Sequence, residues 1–224
     1  MKEAAMEPAQ EIFEVVRAGD TGRLQALLDA NPGLANVRNE RGHSPVLIAQ
    51  YHHKRDAVAV LLAAKPELDL FDACSVGATA RVAQLLDRDA TQINAYSNDG
   101  FYPLGLAAFF GHPDTVKLLL ARGADVSQAA RNPMRVQPLH AAAAGRSFDA
   151  VRMLVDAGAP VNGKQEKGWT PLHEAVRQDN AEMTSYLLSH GADPKLQNDE
   201  GTSAIGLAAK EGRNDMLKLL KGQP

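Results

Sequence analysis

A pattern of about 33 residues recurs along this chain, and a recurrence of that length dictates how it can fold. The clearest copy runs from Asp99 to Val126. Asp99-Gly100 reads as a turn. Pro103 stands where a helix can begin, because the N–H that proline lacks would have no partner in a first helical turn. Leu104, Leu106, Ala107 and Ala108 follow, and Gly111 stops that helix after two short turns. Pro113 restarts the chain in a second helix, whose Val116, Leu119 and Leu120 share one face, with Leu118 widening it. Gly123 ends it. A hairpin this small cannot bury its apolar faces alone, so the copies must stack on one another.

Further copies fix the phase. Pro138-Leu139-His140 leads to Val151, Leu154 and Gly158-Ala159, and Thr170-Pro171-Leu172-His173 leads to Tyr186-Leu187-Leu188 and Gly191-Ala192-Asp193. Pro103 and Pro138 lie 35 positions apart, Pro138 and Pro171 33. With Thr-Pro-Leu-His opening a short helix and Gly-Ala-Asp closing a longer one, nearly the whole chain resembles the ankyrin repeat family. The resemblance implies an all-α solenoid of about seven helix-pair repeats carrying β-turn fingers, in one domain spanning 1–224. The expected units are 8–37 as an N-terminal cap, 38–67, 68–95, 96–127, 128–162, 163–195, and 196–222 as a C-terminal cap. The relaxed motifs are similar to those of bacterial stand-alone ankyrin repeat proteins.

The period breaks once. Pro45 and Pro103 are 58 positions apart, about eight short of two periods. Between Leu62 and Leu70 too little chain remains for a turn, so the third repeat is expected to lack most of its finger and to leave a notch beside the fourth unit's rings. In the fifth unit Gly145 stands where Phe110 would align, and the end of its first helix is expected to shift by one residue. The first pair lacks the opening motif, and the seventh drops its proline and adds Arg213, Asp215, Lys218 and Lys221. Both suit caps whose outer faces meet water.

Net charge is −3 with no long basic run, which removes the electrostatic footprint of a nucleic-acid binder. Met1 to Pro8 carries acids and no apolar stretch, which argues against a signal peptide. No apolar run approaches the ~20 residues of a membrane span. The single cysteine, Cys74, has no partner for an internal disulfide. A cytoplasmic, reducing setting is the resulting expectation.

The seven histidines invite a metal or a catalyst. The resemblance implies that His140 and His173 hydrogen-bond across the turns and that His112 packs and caps. His190 ends a helix, where a cation suits the dipole. His52 and His53 are adjacent in a helix and diverge by about 100°. With His43 they make a zinc site conceivable, unsupported by any Cys or acid at ligand spacing. Ser44, Ser75, Ser147 and Ser203 fall at helix ends, as caps do, and none sits in a nucleophile elbow. Cys74 reads as a small hydrophobe in the helix seam. With no phosphate loop or dinucleotide fingerprint either, no catalytic residue, metal or cofactor is assigned, and the chain is read as a non-enzyme.

In the family the resemblance points to, partners are held by the turn tips and the ends of the first helices, which line a concave face. The matching helix ends here are Tyr51 and His52, Ser75 and Val76, Phe109 and Phe110, Ala144 and Gly145, Arg177 and Gln178, and Lys210 and Glu211. The turn tips are Glu40, Arg41 and His43; Asn98, Asp99 and Phe101; Pro133, Met134 and Val136, with Arg135 replacing the glycine; Glu166, Lys167 and Trp169; and Asp199, Glu200 and Thr202. Of the chain's eleven Phe, Tyr and Trp residues, five (Tyr51, Phe101, Phe109, Phe110 and Trp169) fall on these positions. Aromatics grouped on a surface mark an interaction site. The expectation is a monomer that grips a protein partner through Tyr51, His52, Phe101, Phe109, Phe110, Met134, Trp169 and Arg177, its rings held out to solvent. In the plainer alternative Phe109 and Phe110 pack beneath the turns. Two others are a small-molecule or metal-dependent activity in the notch, using His43, Tyr51, His52 and Cys74, and an inhibitor or antitoxin-like protein that masks its partner.

Overall fold

The structure, a computed structural model, describes residues 7–222; the expectation about a leader at Met1 to Pro8 falls mostly outside them. Among the described residues fourteen α-helices follow one another in seven pairs. They are α1 (Pro8–Ala18) and α2 (Thr21–Ala30), α3 (Pro45–Tyr51) and α4 (Arg55–Ala63), α5 (Leu70–Val76) and α6 (Thr79–Arg88), and α7 (Pro103–Phe109) and α8 (Pro113–Ala121). Then come α9 (Pro138–Ala144) and α10 (Phe148–Asp156), α11 (Pro171–Arg177) and α12 (Ala181–Ser189), and α13 (Ala204–Lys210) and α14 (Asn214–Leu220). Odd-numbered helices form an inner row, each packed on the next, and even-numbered helices form an outer row.

Local chemistry sets where these helices start. Proline occupies the first turn of α1, α3, α7, α8, α9 and α11. The side chains of Ser44, Asp69, Thr170, Asn180 and Ser203 accept the free N–H of the turn that follows them. Two of the expected serine caps are not caps. Ser147 makes no such bond, and Ser75 is buried inside α5, where its hydroxyl donates to the Asp72 carbonyl. That burial also removes Ser75 from the surface positions.

Small residues let the inner helices approach closely. Ala107 and Ala108 of α7, Ala141 to Ala143 of α9 and Ala175 of α11 are all buried. The closest approach explains Gly145: a Cβ there would sit 1.9 Å from the Phe109 carbonyl oxygen. The expected shift of the helix end does not occur, since α7 and α9 have equal length. Gly145 keeps a right-handed backbone, and Arg146 takes the left-handed position held by Gly111 in the fourth unit.

Among the described residues, fingers precede five pairs. Each closes by the N–H of its fourth residue returning to the first: Gly42 to Asn39, Gly100 to Ser97, Arg135 to Asn132, Gly168 to Gln165 and Gly201 to Asn198. The third pair has none, as its short connection requires. The buried apolar residues fall into two clusters, one from the first two pairs and one from Leu70 onward, with half-buried Leu68 packed against both.

Candidate functional site

At the missing finger the chain departs most from expectation. No open gap separates the second and fourth units' fingers, because the fourth reaches directly to the second. The Asn98 Nδ2 donates to the Arg41 carbonyl at 3.0 Å, and the Tyr51 hydroxyl donates to Asp99 Oδ2 at 2.8 Å. His43 Nε2 lies 3.2 Å from the same oxygen, and the Ser97 hydroxyl donates to Asp99 Oδ1. Burial alone would raise the Asp99 carboxyl, but these donors and the neighbouring imidazole outweigh it and hold it at about 2. Burial, followed by the charge of Asp99, pushes the Tyr51 phenol far above its ordinary range. Asp99 is thus the knot of the site, although its residue type and turn position mark it only as one tip residue among many.

The rings follow from this closure. Tyr51 stacks on Phe110 at 6.3 Å between centroids, touches Phe101 at 6.1 Å and meets the His43 ring edge-on at 5.8 Å. Phe109 contacts Phe110 edge-to-face at 5.1 Å. Trp169 stands apart from this cluster and leans on His173. All five rings are half-buried against the core, so they do not stand free in solvent as expected. The exposed members of the expected set are His52, Met134 and Arg177. Arg177 makes a two-pronged bond to the nearly buried Glu174.

A groove of about 890 Å³ opens beside the cluster, lined by Phe13, Arg17, Arg41, His43, Tyr51, His52, Asp99 and Phe101, among others. Its walls come from the first two units and the fourth finger rather than from the third unit. Cys74 takes no part, being sealed in the α5 seam with its thiol pushed up by burial and by the charge of Asp69. A second recess, about 550 Å³, lies along the short connection between Pro66, Glu67, Leu68, Arg81 and Arg88. Among the described residues no three His, Cys, Asp or Glu side chains gather as metal ligands.

The histidines of the opening motif hold neighbouring fingers. His140 Nε2 donates to the carbonyls of Gly163 and Trp169 at 3.0 and 3.2 Å, and His173 Nε2 donates to the Thr202 carbonyl at 3.0 Å. His112 likewise reaches the Ser75 carbonyl at 2.9 Å. Where the motif departs, other groups do this work. In the fourth unit Gly105 replaces the histidine, the Tyr102 ring fills the vacated space, and its hydroxyl donates to the Val136 carbonyl at 3.0 Å. In the third unit Asp72 takes the histidine's place. It is buried, accepts from the Ser44 hydroxyl at 2.6 Å and pairs with Arg38 at 3.1 Å. Burial and Asp69 raise its carboxyl, against the pull of Ser44 and Arg38.

A family model described as Ankyrin repeats (3 copies) matches residues 12–130, 70–165 and 139–223. The chain belongs to the ankyrin repeat family. Among curated ankyrin proteins it is similar to Ankyrin repeat and SOCS box protein 11 of Homo sapiens, 34% identical over 54% of this chain and 37% of that protein. It is similar to Ankyrin repeat protein nuc-2 of Neurospora crassa, 31% identical over 80% of this chain and 18% of that one. A third is Protein phosphatase 1 regulatory subunit 27 of Homo sapiens, 34% identical over 43% of this chain and 62% of that protein. The chain therefore matches only part of each relative's length. No helix among the described residues is long and apolar enough to cross a membrane.

Proposed function

We propose that this ankyrin domain is a non-catalytic, monomeric binding module that holds a protein partner on the face formed by its fingers and inner-helix ends. The observation that carries the reading is the groove of about 890 Å³ on that face, built from finger tips and from residues of α1 and α3. Aromatic surface with a polar rim is the usual make-up of a binding hot spot. His52, Met134 and Arg177 supply exposed contacts, and Tyr51, Phe101, Phe109, Phe110 and Trp169 supply the partly exposed edges of a firm ring cluster. The likeness to a protein named as a phosphatase regulatory subunit favours a chain that acts by binding. The reduced, buried thiol of Cys74 fits a cytoplasmic setting.

Half-buried rings are poor probes, since truncating them would also loosen the fold. Exposed positions serve better. His52→Glu with Lys210→Glu, on the proposed face, should abolish capture of the partner by the immobilised chain. Lys117→Glu with Arg152→Glu, on the outer helices, should leave capture intact, and both variants should melt like the parent. Equal capture by the two variants would remove the concave face from the reading.

A further inference from the structure

Four of the five fingers turn on a glycine in the left-handed region: Gly42, Gly100, Gly168 and Gly201, with φ between 71° and 79°. The fifth unit's finger turns on Arg135, at φ 48°. This conformation is unfavourable for every residue that carries a Cβ, and glycine is its usual occupant. Beside it stands Met134, 42% exposed and the one exposed large apolar side chain among the described residues. The tips of the second, fourth, sixth and seventh units' fingers carry Glu40-Arg41, Asn98-Asp99, Glu166-Lys167 and Asp199-Glu200; Pro133-Met134 alone carries no charge.

We propose that Pro133-Met134-Arg135 is the primary docking point on the concave face and that it takes an acidic partner segment bearing an apolar side chain. The inference rests on the concave-face reading and names the partner's chemistry. In this finger and the next, cations outnumber acids. Arg131, Arg135, Lys164 and Lys167 belong to this finger and the next, and none forms an ion pair among the described residues. Arg131 lies over the Tyr96 ring at 4.1 Å and Lys164 bonds the Gln197 carbonyl, so both are positioned without being neutralised. Glu166 is the one acid of these two fingers, with Asp99 and Asp199 on the fingers to either side. The tip is also held in place before any partner arrives. The Met134 N–H donates to Asn132 Oδ1, the Met134 carbonyl accepts from the Glu166 N–H, and the Arg131 N–H donates to the Gly100 carbonyl. Such preorganisation removes part of the ordering cost of binding. A nucleic acid fits less well, because no residue from Pro133 to Arg135 offers an aromatic ring for a base to stack on.

A library of displayed random 12-residue peptides, panned on the intact chain, tests the proposal. Selected peptides should pair Asp or Glu with Leu, Phe or Met. Their affinity, measured by fluorescence anisotropy, should fall at least tenfold with Met134→Ala and with Arg135→Gly, and should weaken as salt rises. Arg135→Gly should leave the melting temperature unchanged or raise it, which separates lost contact from lost fold. Failure to select binders, or selection of basic or uncharged ones, overturns the proposal. So does tighter binding of a 20-nucleotide oligouridylate than of any peptide. Acidic binders that ignore both substitutions but are lost with His52→Glu/Lys210→Glu overturn the finger assignment and leave the concave-face reading standing. Binders indifferent to all four changes remove both.

Discussion

His140 shows what a buried histidine costs a fold in acid. Burial opposes its charge, more strongly than the Trp169 and Gly163 carbonyls and Glu174 favour it, and holds it at about 4. His173 is lowered for the same first reason. An unfolded chain protonates histidine near 6.5. Between those values the unfolded state binds a proton that the folded state refuses, so stability is full above about pH 6.5 and falls as pH drops towards 4. For His140 the loss reaches about 3 kcal/mol. Urea midpoints should fall steadily from pH 7 to pH 4.5, and His140→Gln should flatten the slope. Asp99 acts in a separate, lower window: its folded value of about 2 preserves stability until pH falls below about 4. A slope indifferent to His140→Gln would assign the acid sensitivity elsewhere.

Within a single element, the start of α7 replaces a motif with a different solution to the same problem. Tyr102 and Gly105 together do what Thr170 and His173 do in α11, each pair ending in a bond to the next finger's carbonyl. Gly105→His alone should destabilise, because a Cβ there lies 2.8 Å from the Tyr102 ring. Tyr102→Thr alone should cost about 3–5 kcal/mol as a truncated buried aromatic. The double change should recover much of that loss, and a cycle of chemical denaturation curves measures the coupling. Additive losses would refute the exchange. Elements of this kind divide what was legible in advance. Helix pairs and the missing third finger could be read, because periodicity and turn chemistry are local, and the family resemblance supplied the hydrogen-bonding roles of His140 and His173. The closing of the second finger on the fourth could not, because it joins residues 57 apart through a gap that only three-dimensional stacking brings together. The half-burial of Tyr51, Phe101 and Phe110 was missed for the same reason, since these rings from the second and fourth units cover one another.

For the whole molecule, the break in the apolar core between the first two pairs and the last five predicts two cooperative units. The polar cluster of Ser44, Asp72 and Arg38 sits at their junction, and the bonds of Asp99 to Tyr51 and its contact with His43 tie the units together. Asp99→Asn should therefore loosen the N-terminal unit selectively. Amide exchange in α1 to α4 should quicken about tenfold while α9 to α12 keep their protection. Uniform change along the chain would mean that the stack opens as one body.

Anything lying along the finger tips meets Arg41 and Asn98 as next-door neighbours and passes over the third pair without touching a finger of it. One letter has been struck from the surface text while the spine beneath keeps all its vertebrae. On the proposed reading, substitutions in the outer helix α6 are thereby free to adjust stiffness without altering the surface that the tips present.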